Sequence, residues 1–299
     1  MHLKQIWQLI KKSAMAWIDD YAPSMGAALA YYTLFSAAPL LIITIAVAGL
    51  FFGQEAAQGE IVAQIQGLIG REGAIVVQGL LKSASDPARD IFAMVVSIIT
   101  LVIGATTVFA ELQSDLDRIW RVPAPAKENN ILNLLRSRLL SFGLVLGLGF
   151  LLLVSLVVSA AIAALGKWWN GIFNGWEVLL HALEFSVSLA SSTLLFAMIY
   201  KIMPRARIAW RDVWIGAAVT ALMFGSGKSL IGLYLGKAGV ASGFGAAGSL
   251  VVLLVWVYFA AQIFLLGAEF TWVYSHEHGS NSSQTKQKLA PAVPCCSDG

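Results

Sequence analysis

Hydrophobic side chains fall along this chain in six long runs separated by polar stretches, roughly Leu34 to Phe52, Ile91 to Ala110, Leu139 to Leu165, His181 to Tyr200, Val213 to Leu235 and Leu250 to Phe270. Each run approaches the ~20 helical residues needed to cross a hydrocarbon core of about 30 Å. None alternates polar and apolar positions with period two, as a membrane-spanning strand does. Backbone in lipid must satisfy its own hydrogen bonds, so such runs form helices. The pattern predicts an all-α, polytopic membrane protein, with six transmembrane helices in one domain over residues 1–274. Ahead of the first run, Leu3, Ile6, Trp7, Ile10, Ala14, Trp17 and Ile18 recur at three-and-four spacing, with Lys4, Gln8, Lys11 and Lys12 on another face. That spacing predicts an N-terminal amphipathic interfacial helix over residues 3–20. Residues 53–90 make a polar connection long enough to carry structure of its own, expected as an ordered extracytoplasmic loop. From Ser275 to Gly299 the Ser, Asn, Gln, Lys and Pro content predicts a disordered cytoplasmic tail.

Composition supports the same class. Hydrophobic residues are 58% and charged residues 12% of 299, where a soluble domain carries about 25% charge. Charge placement sets the expected orientation. With the N-terminus inside, only Arg71, Lys82, Arg89, Lys167, Lys228 and Lys237 of the 20 basic residues lie outside or in the outer halves of spans. The positive-inside rule then puts both termini in the cytoplasm, in a multi-pass membrane protein. The net charge of +3 reflects this topology, and no nucleic-acid partner is expected. The first run is too long for the apolar core of a cleaved leader, so it is read as a retained helix. Cys295 and Cys296, the only cysteines, are adjacent in the tail and suit neither a structural disulfide nor a zinc site. No metal and no cofactor is expected.

Two clusters carry candidate chemistry. The segment from Met25 to Pro39 is rich in Gly and Ala, which let helices approach closely, and Pro39 removes a backbone donor and favours a kink. Its Tyr31, Tyr32, Thr33 and Ser36, together with the helix-breaking Gly243, Gly245 and Gly248, are candidates for lining a polar path, since broken backbone at depth faces protein or water. Close packing and turn formation are the structural alternative. The second cluster lies near the inner ends of spans. Glu111, Asp115 and Arg118 recur at i, i+4 and i+7, Glu269 closes the last run, and Arg205, Arg207 and Arg211 precede the fifth. Carboxylates in apolar surroundings need partners, which predicts a cytoplasmic-side charge network serving either as a helix staple or as an inner gate or proton-coupled site. His181, Glu184 and Lys228 are read as surface or snorkelling groups.

Two glycine patterns mislead. Gly225-Ser226-Gly227-Lys228-Ser229 ends like a phosphate loop but has Leu222 where the first glycine belongs, and Gly243-Phe244-Gly245-Ala246-Ala247-Gly248 follows no strand. Nor does the chain carry an HExxH motif, a GxSxG motif or a nucleophile–base pair at depth, so no catalytic residue is assigned.

The stretch from Gly26 to Pro39, Glu111-Leu112-Gln113 with Arg118-Ile119-Trp120, Pro204 to Arg211, and Leu265 to Phe270 together resemble the YihY/BrkB (UPF0761-type) family of bacterial inner-membrane proteins. The resemblance runs in order over about residues 5 to 275. It implies an integral six-helix protein. Family members have been labelled a tRNA-processing ribonuclease (ribonuclease BN) and a serum-resistance factor. A nuclease would find here no metal-binding carboxylate set in a soluble domain and no basic nucleic-acid surface. Phe244 stands where the family pattern has Tyr before Gly-x-x-Gly-Ser, so a hydroxyl-dependent role is not carried over to that position. The function expected is transport of a small molecule or lipid, with membrane lipids as partners. The alternative is a non-transporting envelope scaffold, and an enzyme is the least supported reading. Substrate, coupling ion and oligomeric state are not encoded in any motif.

Overall fold

The structure is a computed structural model that describes residues 3–36, 107–123, 176–237 and 248–280, with the single positions 53, 58, 59, 62 and 78. Every regular element among the described residues is helical. In chain order these are α1 (Leu3–Asp19), α2 (residues 22–36), α3 (residues 107–119), α4 (Trp176–Ile202), α5 (Trp210–Lys237) and α6 (Gly248–Glu277). Three stretches are long and apolar enough to cross a membrane: Phe185–Ile202, Trp210–Tyr234 and Leu250–Glu277. They correspond to the fourth, fifth and sixth hydrophobic runs. The first three runs, the loop over residues 53–90 and the tail beyond Ser280 lie wholly or almost wholly outside the described residues.

The chain divides into two compact units. One comprises Met1–Asp19, Ile119–Ala221 and Leu266–Gly299, the other Asp20–Arg118 and Leu222–Leu265. In the first unit α1 packs on the C-terminal part of α6. Leu9 and Ala16, seven residues apart and therefore on one helix face, are buried against Val273, with Phe270, Trp272 and Tyr274 packed around them. Ser13 completes this face and donates to the Leu9 carbonyl at 2.8 Å. Lys12 pairs with Glu277 across the same contact, and the Arg121 guanidinium lies 4.3 Å from the centre of the Trp272 ring. The face that the periodicity marks as apolar is a different one: Ile6, Trp7, Ile10 and Ile18 are exposed, Trp7 by 68%. At 100° per residue, α1 thus has three faces, one against protein, one apolar and uncovered, and one carrying the lysines.

Helix α6 also extends beyond Phe270, the end of the sixth hydrophobic run. Within the stretch expected to open the tail, Ser275 is wholly buried and the helix continues to Glu277. His278 and Gly279 both donate to the Tyr274 carbonyl at 2.9 Å. Ser280 then donates through its backbone N and its Oγ to Asp212 Oδ2, at 3.1 and 2.7 Å. Asp212 lies in the first turn of α5, where a carboxylate also complements the helix dipole. A Cβ on Gly279 would come within 2.7 Å of the Asp212 carboxyl carbon, so only glycine lets the chain approach this closely.

In the second unit the small face of α2, Ala22, Met25, Leu29 and Ala30, is buried. The Gln262 Nε2 donates to the carbonyls of Ala22 and Pro23, both at 3.4 Å. A Cβ on Gly26 would collide with that amide, and a Cβ on Gly227 would collide with Ile263. The prediction of close helix approach through small residues therefore holds at α2.

Candidate functional site

A fully enclosed group of polar side chains in the first unit lies where α5 meets α6. Gly216 and Thr220 are four apart on α5, and Gly267 and Thr271 are four apart on α6. A Cβ on Gly216 would fall on the Thr271 hydroxyl, and a Cβ on Gly267 would fall on the Thr220 hydroxyl and within 2.7 Å of the Tyr200 hydroxyl. Each glycine thus receives the threonine of the other helix. Thr220 and Thr271 donate back to the carbonyls of Gly216 and Gly267 at 2.8 and 2.7 Å. The Tyr200 hydroxyl on α4 meets Thr220 Oγ1 at 3.1 Å. Tyr200, Thr220, Thr271 and Glu269 all have zero exposure. Three neutral hydroxyls and a carboxyl are therefore held away from solvent on helices of membrane-spanning composition. Polar groups so placed are costly unless hydrogen-bonded, and small-residue interfaces with hydroxyl bonds are the usual glue of helices in lipid.

The second unit holds a separate acidic locus on α3. Asp115 is 4% exposed, and its Oδ2 has no hydrogen-bond partner among the described residues. Burial first, then the neighbouring Glu111 charge, push its pKa up to about 7, while Arg118 pulls it down. Asp115 lies past the expected end of the second span and so outside the spanning segments. Arg118 itself sits 5.6 Å from the centre of the Tyr21 ring. Tyr21 adopts φ 58, a left-handed conformation uncommon for a residue with a Cβ, at the turn from α1 into α2.

The sequence-predicted residues divide as follows. Ser36 is buried and donates to the Thr33 carbonyl at 3.1 Å. Tyr31 is 56% exposed beside Phe35, at 4.8 Å between ring centres. Tyr32 and Thr33 are half-buried, and Gly248 is buried at the start of α6. Pro39, Gly243 and Gly245 lie outside the described residues. Of the proposed charge network, α3 carries Glu111, Asp115 and Arg118 together. Glu269 is wholly buried, whereas Arg205, Arg207 and Arg211 are exposed. Among the described residues no three His, Cys, Asp or Glu side chains are grouped to hold a metal ion. Residue-level reading missed Tyr200, Thr220, Thr271 and Gln262. The repeated Gly-x-x-x-Thr of Gly216–Thr220 and Gly267–Thr271 was the available signal for two of them.

The model of the family described as virulence factor BrkB matches residues 15–291. A UPF0761 membrane protein of Pseudomonas aeruginosa strain LESB58 is 30% identical over 265 residues, covering 85% of this chain and 60% of that one. A UPF0761 membrane protein of Neisseria meningitidis serogroup B is 26% identical over 277 residues, covering 90% of this chain and 65% of that one. The chain therefore spans less than two thirds of the length of these curated relatives. No solved structure matches.

Proposed function

The chain belongs to the BrkB family of membrane proteins, and from that premise we propose that it is a permease-type transporter of a small solute or lipid in the bacterial inner membrane. It has six spans, both termini in the cytoplasm and no catalytic residue. The observation that carries the reading is Glu269, a carboxyl of zero exposure on a helix apolar and long enough to cross the bilayer. An ionisable group at that depth is expensive, and where one is kept it marks a solute or proton route more often than a bland core position. Asp115 adds a carboxyl that titrates near neutrality, as a proton-coupled inner gate requires. Helix α1 fits as the interfacial element, with its uncovered Ile6, Trp7, Ile10 and Ile18 toward the acyl chains and Lys4 and Lys11 toward headgroups.

One observation favours the scaffold reading. The Gly216–Thr271 and Gly267–Thr220 contacts leave no room for even a methyl group, which is how a static helix clamp is built. Single cysteines at Ser36, Gly243 and Ser280, in a chain lacking Cys295 and Cys296, separate the two. With a membrane-impermeant maleimide, Ser36→Cys and Gly243→Cys are expected to react from one side of the membrane, and Ser280→Cys only in inverted vesicles. Absence of labelling at both Ser36→Cys and Gly243→Cys would leave the scaffold as the function. Labelling of Ser280→Cys in intact cells would reverse the orientation.

A further inference from the structure

The connection between α4 and α5, residues 203–209, is folded tightly onto the first unit. Met203 and Ile208 are 5% and 2% exposed, and Lys201 Nζ donates to the Ile208 carbonyl while lying 5.4 Å from the centre of the Trp210 ring. Arg205, Arg207 and Arg211, by contrast, are exposed. Beside them Trp210 is 51% and Trp214 43% exposed, and spacing of four puts these two indoles on one face of α5. The one acidic residue of the stretch, Asp212, is 2% exposed and occupied by Ser280. Its carboxylate is thus taken up by Ser280 and makes no ion pair with Arg207 or Arg211.

From this arrangement we infer that the α4–α5 turn is a headgroup site for anionic phospholipid, with Arg207 and Arg211 on the phosphate and Trp210 and Trp214 against the glycerol and upper acyl region. The occupant follows from three features together. The charge is positive and forked, suited to phosphate oxygens. The flanking aromatics are indoles, which settle at the depth of headgroups. Finally, both flanking helices carry candidate membrane spans, Phe185–Ile202 and Trp210–Tyr234, so the turn sits where a span leaves the bilayer. The inference rests on the membrane placement of α4 and α5 and is independent of whether the protein transports anything.

Each basic side chain near an anionic surface contributes about fivefold in lipid partitioning, so Arg207 and Arg211 together account for a preference of roughly 25-fold. The test uses the full chain in dodecyl maltoside micelles, with fluorescent phosphatidylglycerol or fluorescent phosphatidylcholine titrated as probe. Phosphatidylglycerol is expected to bind at least tenfold more tightly than phosphatidylcholine at low salt, in line with that estimate. The preference should fall toward unity in R207Q/R211Q, persist in K228Q and weaken steadily as NaCl is raised. Equal binding of the two lipids by the unaltered chain would overturn the site, as would loss of the preference in K228Q or its persistence in R207Q/R211Q. A preference insensitive to salt would overturn it even if R207Q/R211Q failed to fold. Displacement of phosphatidylglycerol by equimolar inorganic phosphate would overturn the assignment to lipid.

Discussion

Gly267→Ala probes the α5–α6 contact at its tightest point. The added methyl would fall on Thr220 Oγ1 and within 2.7 Å of the Tyr200 hydroxyl, and both side chains have zero exposure. Overpacking of this kind costs about 1–3 kcal/mol. Displacing Thr220 also breaks its 3.1 Å bond to Tyr200, which contributes about 1 kcal/mol. Against this stands the gain of about 0.5–1 kcal/mol from replacing glycine by alanine inside a helix. The balance is a loss of about 1–3 kcal/mol, read as a lower Tm in detergent and an earlier midpoint in SDS titration. Gly225→Ala supplies the opposite sign on α5, because nothing lies within 4 Å of its added methyl, and should be neutral or slightly stabilising. Thr220→Ala in the Gly267→Ala background removes the colliding hydroxyl, so the double variant should be more stable than the sum of the singles predicts. A Gly267→Ala protein as stable as the unaltered chain would refute the reasoning, because the contact would then have slack that the structure denies it.

Two further outcomes follow from the buried carboxyls. Asp115 has a folded pKa of about 7 against 3.8 for the ordinary group, so the folded chain holds more protons between these values and stability falls as pH rises through them. Asp115→Asn is expected to flatten the dependence of Tm between about pH 4 and 7, and to raise Tm at the upper end; a profile superposing on that of the unaltered chain would remove Asp115 as its source. Glu269→Ala deletes a carboxyl of zero exposure and should lower stability in detergent by a few kcal/mol, whereas unchanged melting would mean that the group is solvated.

The hydrophobic pattern alone specified what the solvent demands. Apolar runs of spanning length must become helices in lipid whatever they pack against, and the fourth to sixth runs do so as α4, α5 and α6. The i, i+4, i+7 spacing likewise placed Glu111, Asp115 and Arg118 together on α3, because neighbours on one helix are fixed by the helix itself. Which helix faces meet could not be read this way. The exposed Ile6, Trp7, Ile10 and Ile18 produce the strongest apolar signal in α1, yet the protein contact uses the weaker Leu9, Ser13 and Ala16, since a membrane surface and a protein surface reward apolar side chains alike. Nor does periodicity tell which glycine receives which side chain. Gly216, Gly225 and Gly267 read as equivalent small residues, and only the packing of α5 on α6 makes two of them indispensable and leaves Gly225 in open space. Tyr200 and Asp212 acquired their partners for the same reason: Thr220 is 20 residues away and Ser280 is 68, separations at which chain connectivity imposes nothing and tertiary contact decides.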